Sequence, residues 1–169
     1  MAFIWGASSF CVYLINFQMK YFPGNIFFNA ILAAGAEIPM AVVAGFLFHR
    51  FGPKLSIPLF LAFALAGALC IIFLGGKSNF SDAAFITLAK CGIATPLFLC
   101  YLANSTIFPA IYAGTAFGFC NLAAKICSVF APIVAELDKP IPMTINSVVI
   151  VLTIFAASML RTRPEPRKT

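Results

Sequence analysis

The chain has 169 residues, of which 62% are hydrophobic and 9% are charged, and its formal net charge is +6. A soluble domain with so few charged residues would precipitate, so the composition excludes the soluble globular classes and indicates a membrane protein with several spans. The positive charge does not indicate nucleic-acid binding, because the basic residues lie in predicted loops and in the tail rather than on one face.

Six apolar segments predict six transmembrane helices. Each helix needs about 20 residues to cross a bilayer, so six of them leave no room for a soluble domain. The first segment lacks the basic start and the small-residue cleavage site of a signal peptide, and we interpret it as a membrane helix. The sequence therefore predicts an all-α membrane domain over 1–160 and a polar basic tail over 161–169, with helices at about 2–19, 26–48, 55–74, 82–104, 112–135 and 141–160.

An even number of spans places both termini on the same side of the membrane. The loops and tail on that side carry more basic residues than the opposite loops, and they include Arg50, Lys54, Arg161, Arg163, Arg167 and Lys168. The opposite loops contain Lys20, Lys77 and Lys139. The positive-inside bias therefore predicts that both termini lie on the cytoplasmic or matrix-type side.

The sequence contains no arrangement that indicates catalysis. The single histidine, His49, lies in a predicted loop without a second metal ligand at suitable spacing. Glu37 stands alone, and Glu136 and Asp138 share a short turn, so no carboxylate pair is placed for acid–base chemistry. The six cysteines all lie in apolar segments and are interpreted as small buried side chains. We therefore predict no enzyme activity, no cofactor and no metal site.

Lys125 lies in the middle of the fifth apolar segment, where a charge is costly. Two interpretations stay open. It lines a solvated substrate site, or it is bonded to carbonyls, to Glu37, to a partner subunit or to lipid phosphate. Glu37 is either a binding residue or a protonated group that caps the backbone broken at Pro39. Lys90 is close enough to a helix end for its side chain to extend to the membrane surface.

Gly114 and Gly118 form a ridge of small residues in the fifth segment. Such spacing allows two helices to approach closely, either within one bundle or between two chains. We expect the ridge to serve packing inside the bundle.

The stretch PGNIFFNAILAAGAEIPMAVVAGFLFHRFGPK, from Pro23 to Lys54, is the most specific signal in the chain. It resembles the seventh and eighth helices of the organic ion transporters, the solute carrier 22-like branch of the major facilitator superfamily. A GN-I-aromatic-x-N segment precedes an acidic-x-Pro motif. The family's loop G-x-x-x-D-R-x-G-R-R then aligns on Gly45, His49, Arg50, Gly52 and Lys54.

This resemblance covers essentially the whole chain but only the second, six-helix half of such a transporter. It implies half of a major facilitator superfamily fold. The position of Lys125 is acidic in cation carriers and basic in anion carriers of the family, so the resemblance implies an anionic substrate. If transport is retained, the substrate-binding residues are Lys125, Glu37 and Asn25.

Several charges of the family's gate are replaced in this chain. His49 stands where the family has an acidic residue, and Pro53 replaces one of two basic residues. Near the fourth turn, Thr106 replaces an acidic residue and Ala113 replaces an arginine. The remnant of the gate loop consists of Gly45, His49, Arg50, Gly52 and Lys54. Loss of these charges with the helices intact favours a fold that is kept for packing rather than for gating.

Two hypotheses follow. In the first, the chain is an accessory or structural membrane subunit of a larger complex, for example a respiratory complex of the mitochondrial inner membrane, and does not transport by itself. In the second, it is a half-size organic anion transporter that works as a homodimer or with a separate N-terminal-half chain. The expected partners are the lipid bilayer, other membrane subunits or a complementary half, and an anionic small molecule or lipid headgroup near Lys125. Nucleic acid is not among them.

Overall fold

The computed structural model of the chain describes residues 1–21, 26–74, 79–138 and 140–160. The predicted basic tail, 161–169, lies outside these residues, as does Asn25. The described residues form α1 (Ala2–Gln18), a 3-10 turn (Met19–Tyr21), α2 (Ile26–Phe51), α3 (Pro53–Leu74), α4 (Asn79–Ile107), α5 (Ala110–Ser128), α6 (Ala131–Ala135) and α7 (Ile141–Ser158).

Six spans within the described residues are long and apolar enough to cross a membrane, which confirms the predicted all-α fold with six spans. The fifth span is divided between α5 and α6, whereas a single helix was predicted there. Val129 and Phe130 form a turn between the two helices, and Pro132 lies in the first turn of α6. A proline has no amide hydrogen to continue the hydrogen-bond ladder of the preceding helix, so the break is expected beside it.

The turn between α2 and α3 consists of one residue, Gly52, although a polar loop over 49–54 was predicted. Gly52 has a φ of 75°, and its amide donates a 2.8 Å hydrogen bond to the Phe48 carbonyl. Glycine adopts this left-handed conformation without steric cost, which lets α2 end and the chain reverse within one residue. The polar side chains around Gly52 therefore sit on helix ends rather than on a loop.

The centre of the bundle is formed by α1 and α4. α1 packs against α4, α5, α6 and α7, and α4 packs against α1, α2 and α3. Large side chains of these helices are fully buried, among them Trp5, Leu14 and Leu99. α3 packs against both α4 and α7, which closes one side of the bundle. α2 and α5 lie against the central helices with most of their surface uncovered.

α3 and α4 approach each other closely at two points where a glycine faces an alanine. A Cβ atom added to Gly67 would lie 2.6 Å from the backbone nitrogen of Ala89. One added to Gly92 would lie 2.5 Å from the backbone nitrogen of Ala64. A helix backbone cannot yield locally as a flexible side chain can, so only glycine fits either position. Close backbone contact of this kind is a main source of helix association in membranes.

The prediction that Gly114 and Gly118 serve packing inside the bundle is wrong. Nothing in the described structure lies within 4 Å of the position that a Cβ would take at either residue. α5 instead packs through another face, on which Cys120 and Ala124 are buried in the core. The glycine ridge is therefore left uncovered.

The cysteines are free, and most of them are buried as predicted. Cys11, Cys91, Cys100 and Cys120 are buried, and Cys70 is half-buried. Cys127 is exposed, which contradicts the interpretation that all six are small buried side chains. It lies on α5 beside Gly6 of α1, where an added Cβ would be 3.2 Å from its sulfur.

Candidate functional site

Glu37 and Lys90 form an ion pair between α2 and α4. The Lys90 Nζ lies 3.5 Å from the Glu37 Oε1, and the Lys90 side chain is 13% exposed while that of Glu37 is 36% exposed. Glu37 lies roughly 16 Å along α2 from its start, given about 1.5 Å per residue, so the pair is deep in the span. The expectation that Lys90 extends to the membrane surface is therefore wrong, because a nearby carboxylate compensates its charge inside the bundle.

Lys125 is bonded to Tyr13 rather than to Glu37. Its Nζ donates a 3.0 Å hydrogen bond to the Tyr13 hydroxyl and lies 5.3 Å from the centre of the Tyr13 ring. The alternative in which Glu37 compensates Lys125 is contradicted, since that carboxylate faces Lys90. Tyr13 therefore stabilises the ammonium by a hydrogen bond and by its ring, and not by a carboxylate.

Three aromatic rings join the central helices to α5. The rings of Trp5 and Tyr101 are 4.7 Å apart, those of Trp5 and Phe117 are 5.3 Å apart, and both pairs meet edge to face. The Tyr101 and Phe117 rings are 5.6 Å apart. Trp5 is fully buried, whereas Tyr101 and Phe117 are 40% and 37% exposed. The cluster thus fixes α5 against α1 and α4 and leaves two of its rings on an open surface.

The helices that carry Glu37 and Lys125 are the least covered in the bundle. Only 11% of the span in α2 and 17% of the span in α5–α6 is buried, compared with 61% for α1 and 56% for α4. Large apolar side chains such as Ile31, Ile38 and Val42 are more than two-thirds exposed on α2. Both polar contacts deep in the membrane therefore lie next to surfaces that the described chain does not cover.

The predicted gate-loop residues are at one end of α2 and α3. His49, Arg50 and Lys54 are exposed, and Gly45 has open space where a Cβ would be. Among the described residues, the ion pairs are Lys20 with Glu136 and Lys90 with Glu37, so Arg50 and Lys54 take part in neither. The charged network of a gate is not assembled at this end of the described structure.

At the turn between α4 and α5, neutral bonds occupy the positions where the resemblance implies gate charges. The Thr106 hydroxyl donates a 3.0 Å bond to the Ala103 carbonyl of its own helix. The Asn104 side-chain amide donates a 3.0 Å bond to the Ala113 carbonyl and so ties α4 to α5. These contacts hold the turn in place through backbone acceptors and do not depend on charge.

Tyr13 and Lys90, the partners of Lys125 and Glu37, are not predicted from the sequence. Each pair joins helices that are not neighbours in the sequence, and Tyr13 and Lys125 are 112 residues apart. A regular helical pattern shows which residues share a face of one helix, but it does not show which helix faces it. The polar character of Lys90 and Tyr13 inside apolar segments was the available signal.

An apolar groove on the described surface contains none of the predicted site residues. It has a volume of about 440 Å³ and lies between α1, α5 and α7. Its lining is apolar and includes Phe3, Phe10, Phe130 and Leu152, with Gly6 and Cys127. This surface lacks polar groups that would orient a charged ligand.

No protein-family model matches the chain. The chain is 23% identical over 159 residues to organic anion transporter 3 of Mus musculus. The aligned residues are 94% of this chain and 29% of that transporter. It is 22% identical to an organic cation transporter-like protein of Drosophila melanogaster, over 96% of this chain and 29% of the relative. Solute carrier family 22 member 15 of Xenopus tropicalis is 23% identical over 81% of this chain and 27% of its own length.

The chain therefore spans less than a third of the length of the curated relatives that it matches. These weak homologies confirm the predicted similarity to the organic ion transporters of solute carrier family 22. The six spans fit half of a major facilitator superfamily fold, as predicted. The six spans and the similarity to transporters together indicate a multi-pass integral membrane protein.

Proposed function

We propose that this transporter-derived chain is an accessory or structural membrane subunit that works within a larger complex and does not transport by itself. The observation that carries the proposal is the pair of uncovered helices, α2 and α5, with Lys125 exposed deep in the span. A lysine at the centre of a bilayer costs about 2.5–3.5 kcal/mol on insertion scales. A protein surface or a water-filled cavity next to α5 removes that cost, whereas lipid does not.

Alternating access in facilitator transporters requires two six-helix halves that rock around a site between them. One half therefore needs a second bundle before it can transport. The missing gate charges at His49 and Thr106 favour a bundle that is held in one arrangement. A complex of several membrane subunits, such as those of the mitochondrial inner membrane, is a setting in which the uncovered helices would be packed.

The proposal is tested by the size of the native assembly. Membranes containing the full chain are solubilised in a mild detergent, and the chain is followed on a native gel with mass spectrometry of its band. We expect a complex far larger than a dimer, with the same membrane proteins recovered in each preparation. Migration only as a dimer of this chain would contradict the accessory role.

A second candidate function is supported by Lys125 itself. The chain is similar to transporters named for organic anions, and a lysine on an uncovered face is suited to an anionic substrate. In this alternative the chain is a half-size organic anion transporter, working as a homodimer or with a separate chain. Glu37 and Asn25 would then be further binding residues, with Glu37 acting from its pair with Lys90.

Reconstituted vesicles distinguish this candidate from the first. If the chain transports, vesicles that contain it should accumulate a radiolabelled organic anion, and Lys125→Ala should abolish uptake. Lys20→Ala is the matched control, because Lys20 lies at a helix end and is paired with Glu136. Equal uptake by the Lys125→Ala protein and the unmodified protein would remove Lys125 from the mechanism.

A further inference from the structure

An uncovered strip of small and polar residues runs along α5. Gly114, Gly118, Asn121 and Lys125 are spaced by four, three and four residues, which places them on one face of a helix. Gly114, Gly118 and Lys125 are exposed and Asn121 is half-buried. We call these four residues the α5 strip.

Elsewhere in this bundle, glycines on a helix face allow a neighbouring helix to come close. At Gly67 and Gly92 the neighbouring helix comes so near that an added Cβ would lie within 2.7 Å of its backbone. At Gly114 and Gly118 the corresponding space is empty in the described structure. A glycine in an exposed helix interior lowers helix stability by about 1 kcal/mol relative to alanine. Gly114 and Gly118 therefore destabilise α5, and no close helix contact in the described structure offsets that loss.

Lys125 carries a charge that the described carboxylates do not compensate. Glu37 is paired with Lys90, and Glu136 is paired with Lys20. Asp138 follows α6 in the turn beyond the fifth span. Lys90 shows how the bundle treats a deep lysine, since a carboxylate from the adjacent helix lies opposite it. A carboxylate partner of this kind for Lys125 is absent from the described residues, and the Tyr13 hydroxyl accepts its hydrogen bond instead.

We infer that the α5 strip docks a membrane helix of a different protein, whose backbone packs at Gly114 and Gly118 and whose Asp or Glu faces Lys125. This inference rests on the proposed assembly with other membrane subunits and specifies the chemistry of the partner. The distance from Gly118 to Lys125 is roughly 10 Å along the helix axis, so the partner's acidic residue lies about two turns from the closest approach.

A second copy of this chain does not supply the required charge. Two copies inserted in the same direction are related by an axis along the membrane normal, and they present the same residues to each other. Their strips would bring two Lys125 side chains together at one depth. Like charges in a low-dielectric environment repel, so charge complementarity favours a partner of different sequence.

The chemistry of the partner is tested in the native complex with a zero-length carbodiimide, which joins an amine to a carboxylate only when the two are in contact. We expect a peptide containing Lys125 linked to an Asp or Glu in a membrane span of another protein. A link to a second copy, or a Lys125 that reacts freely and is protected only by an added organic anion, would overturn the inference.

Two variants test the same contact without chemical cross-linking. Lys125→Met removes the charge, and we expect the affinity for the complex to fall by roughly 30-fold or more, as for the loss of one member of a buried charge pair. Gly118→Leu fills the strip and should also prevent assembly, although it meets nothing within the bundle. Lys125→Arg keeps the charge and should retain assembly. Lys20→Met is the control, because it removes a lysine from an exposed pair of little energetic value.

The outcomes separate this inference from the proposed function. If neither Lys125→Met nor Gly118→Leu disrupts the large native complex, the inference about the α5 strip is wrong, and the accessory role is still supported. A chain that never exceeds its own dimer would contradict both. The unfolding of the isolated variants in detergent must match that of the unmodified chain, because loss of assembly through misfolding would appear there first.

Discussion

Glu37 and Lys90 show how a charge is accommodated inside this bundle. Each side chain lies in an apolar span, and the charge of each is compensated by the other, 3.5 Å away. Removing one member leaves the other partly buried and unpaired. For fully buried pairs this costs about 3–5 kcal/mol.

We predict that Glu37→Gln destabilises the bundle by about 1–3 kcal/mol, less than for a fully buried pair because a third of the Glu37 side chain is exposed. The measurement is the fraction unfolded against the mole fraction of sodium dodecyl sulfate in mixed micelles. The double variant Glu37→Gln with Lys90→Met should recover most of the lost stability. A single variant as stable as the unmodified chain would mean that the pair does not hold α2 to α4.

At the scale of single residues, the sequence identified the unusual charges but not their partners. Glu37 and Lys125 were both recognised because an ionisable residue is rare in a membrane span. The predicted alternative in which they pair with each other is wrong, since pairing depends on which helices are adjacent. That information lies in the packing of helices distant in sequence, and here it connects Tyr13 to Lys125 and Lys90 to Glu37.

At the scale of helices, the contact of α3 with α4 depends on two glycines that meet backbone atoms. We predict that Gly92→Ala forces the helices apart and lowers stability by about 1–3 kcal/mol, the usual range for overpacking. The matched control is Gly35→Ala on α2, where nothing lies within 4 Å of the added Cβ. Because alanine is the better helix former, that control should be neutral or slightly stabilising.

The same mixed-micelle unfolding experiment measures both glycine variants. Equal midpoints for Gly92→Ala and Gly35→Ala would show that α3 and α4 can separate without cost. A crystal or electron-microscopy map of the Gly92→Ala protein should show a wider distance between the two helix axes near Ala64.

The helices themselves were predictable from hydropathy, but their ends were less so. The polar run around Gly52 indicated a loop, whereas a single left-handed glycine is sufficient to join α2 to α3. The division between α5 and α6 follows from Pro132, whereas the apolar segment alone predicts one continuous helix over 112–135. Such local backbone geometry depends on one or two residues. A hydropathy average over a window of about 20 residues does not detect it.

At the scale of the whole molecule, the orientation in the membrane is a prediction from charge. Both termini and the turn at Gly52 should face the cytoplasmic or matrix-type side, and the turn after α6 should face the opposite side. We propose introducing Arg50→Cys and Asp138→Cys separately into a chain whose own cysteines have been replaced. A membrane-impermeant maleimide applied from the outside should label Cys at 138 in intact vesicles or cells and reach position 50 only after permeabilisation. The opposite labelling pattern would show that the chain has the inverted topology.

The uncovered surface of α2 and α5 could not be predicted from the sequence. Apolar side chains are favourable against lipid and against another protein, so hydropathy does not separate the two. Only the packing shows that the described chain buries 61% of one span and 11% of another. The ridge of Gly114 and Gly118 shows the same limit of the sequence. Two glycines four residues apart have the same sequence spacing whether a neighbouring helix covers them or not.

The pairing of neighbouring and distant helices has a consequence for biosynthesis. Gly67 and Gly92 lie on consecutive helices, so α3 and α4 can close against each other as soon as both have left the ribosome. The contact between α1 and α5 forms much later in synthesis, since the Ser9 hydroxyl bonds to Ser128, 119 residues later in the chain. During that interval the face of α1 that later receives α5 is open, and a membrane chaperone that shields it would protect the nascent protein from aggregation.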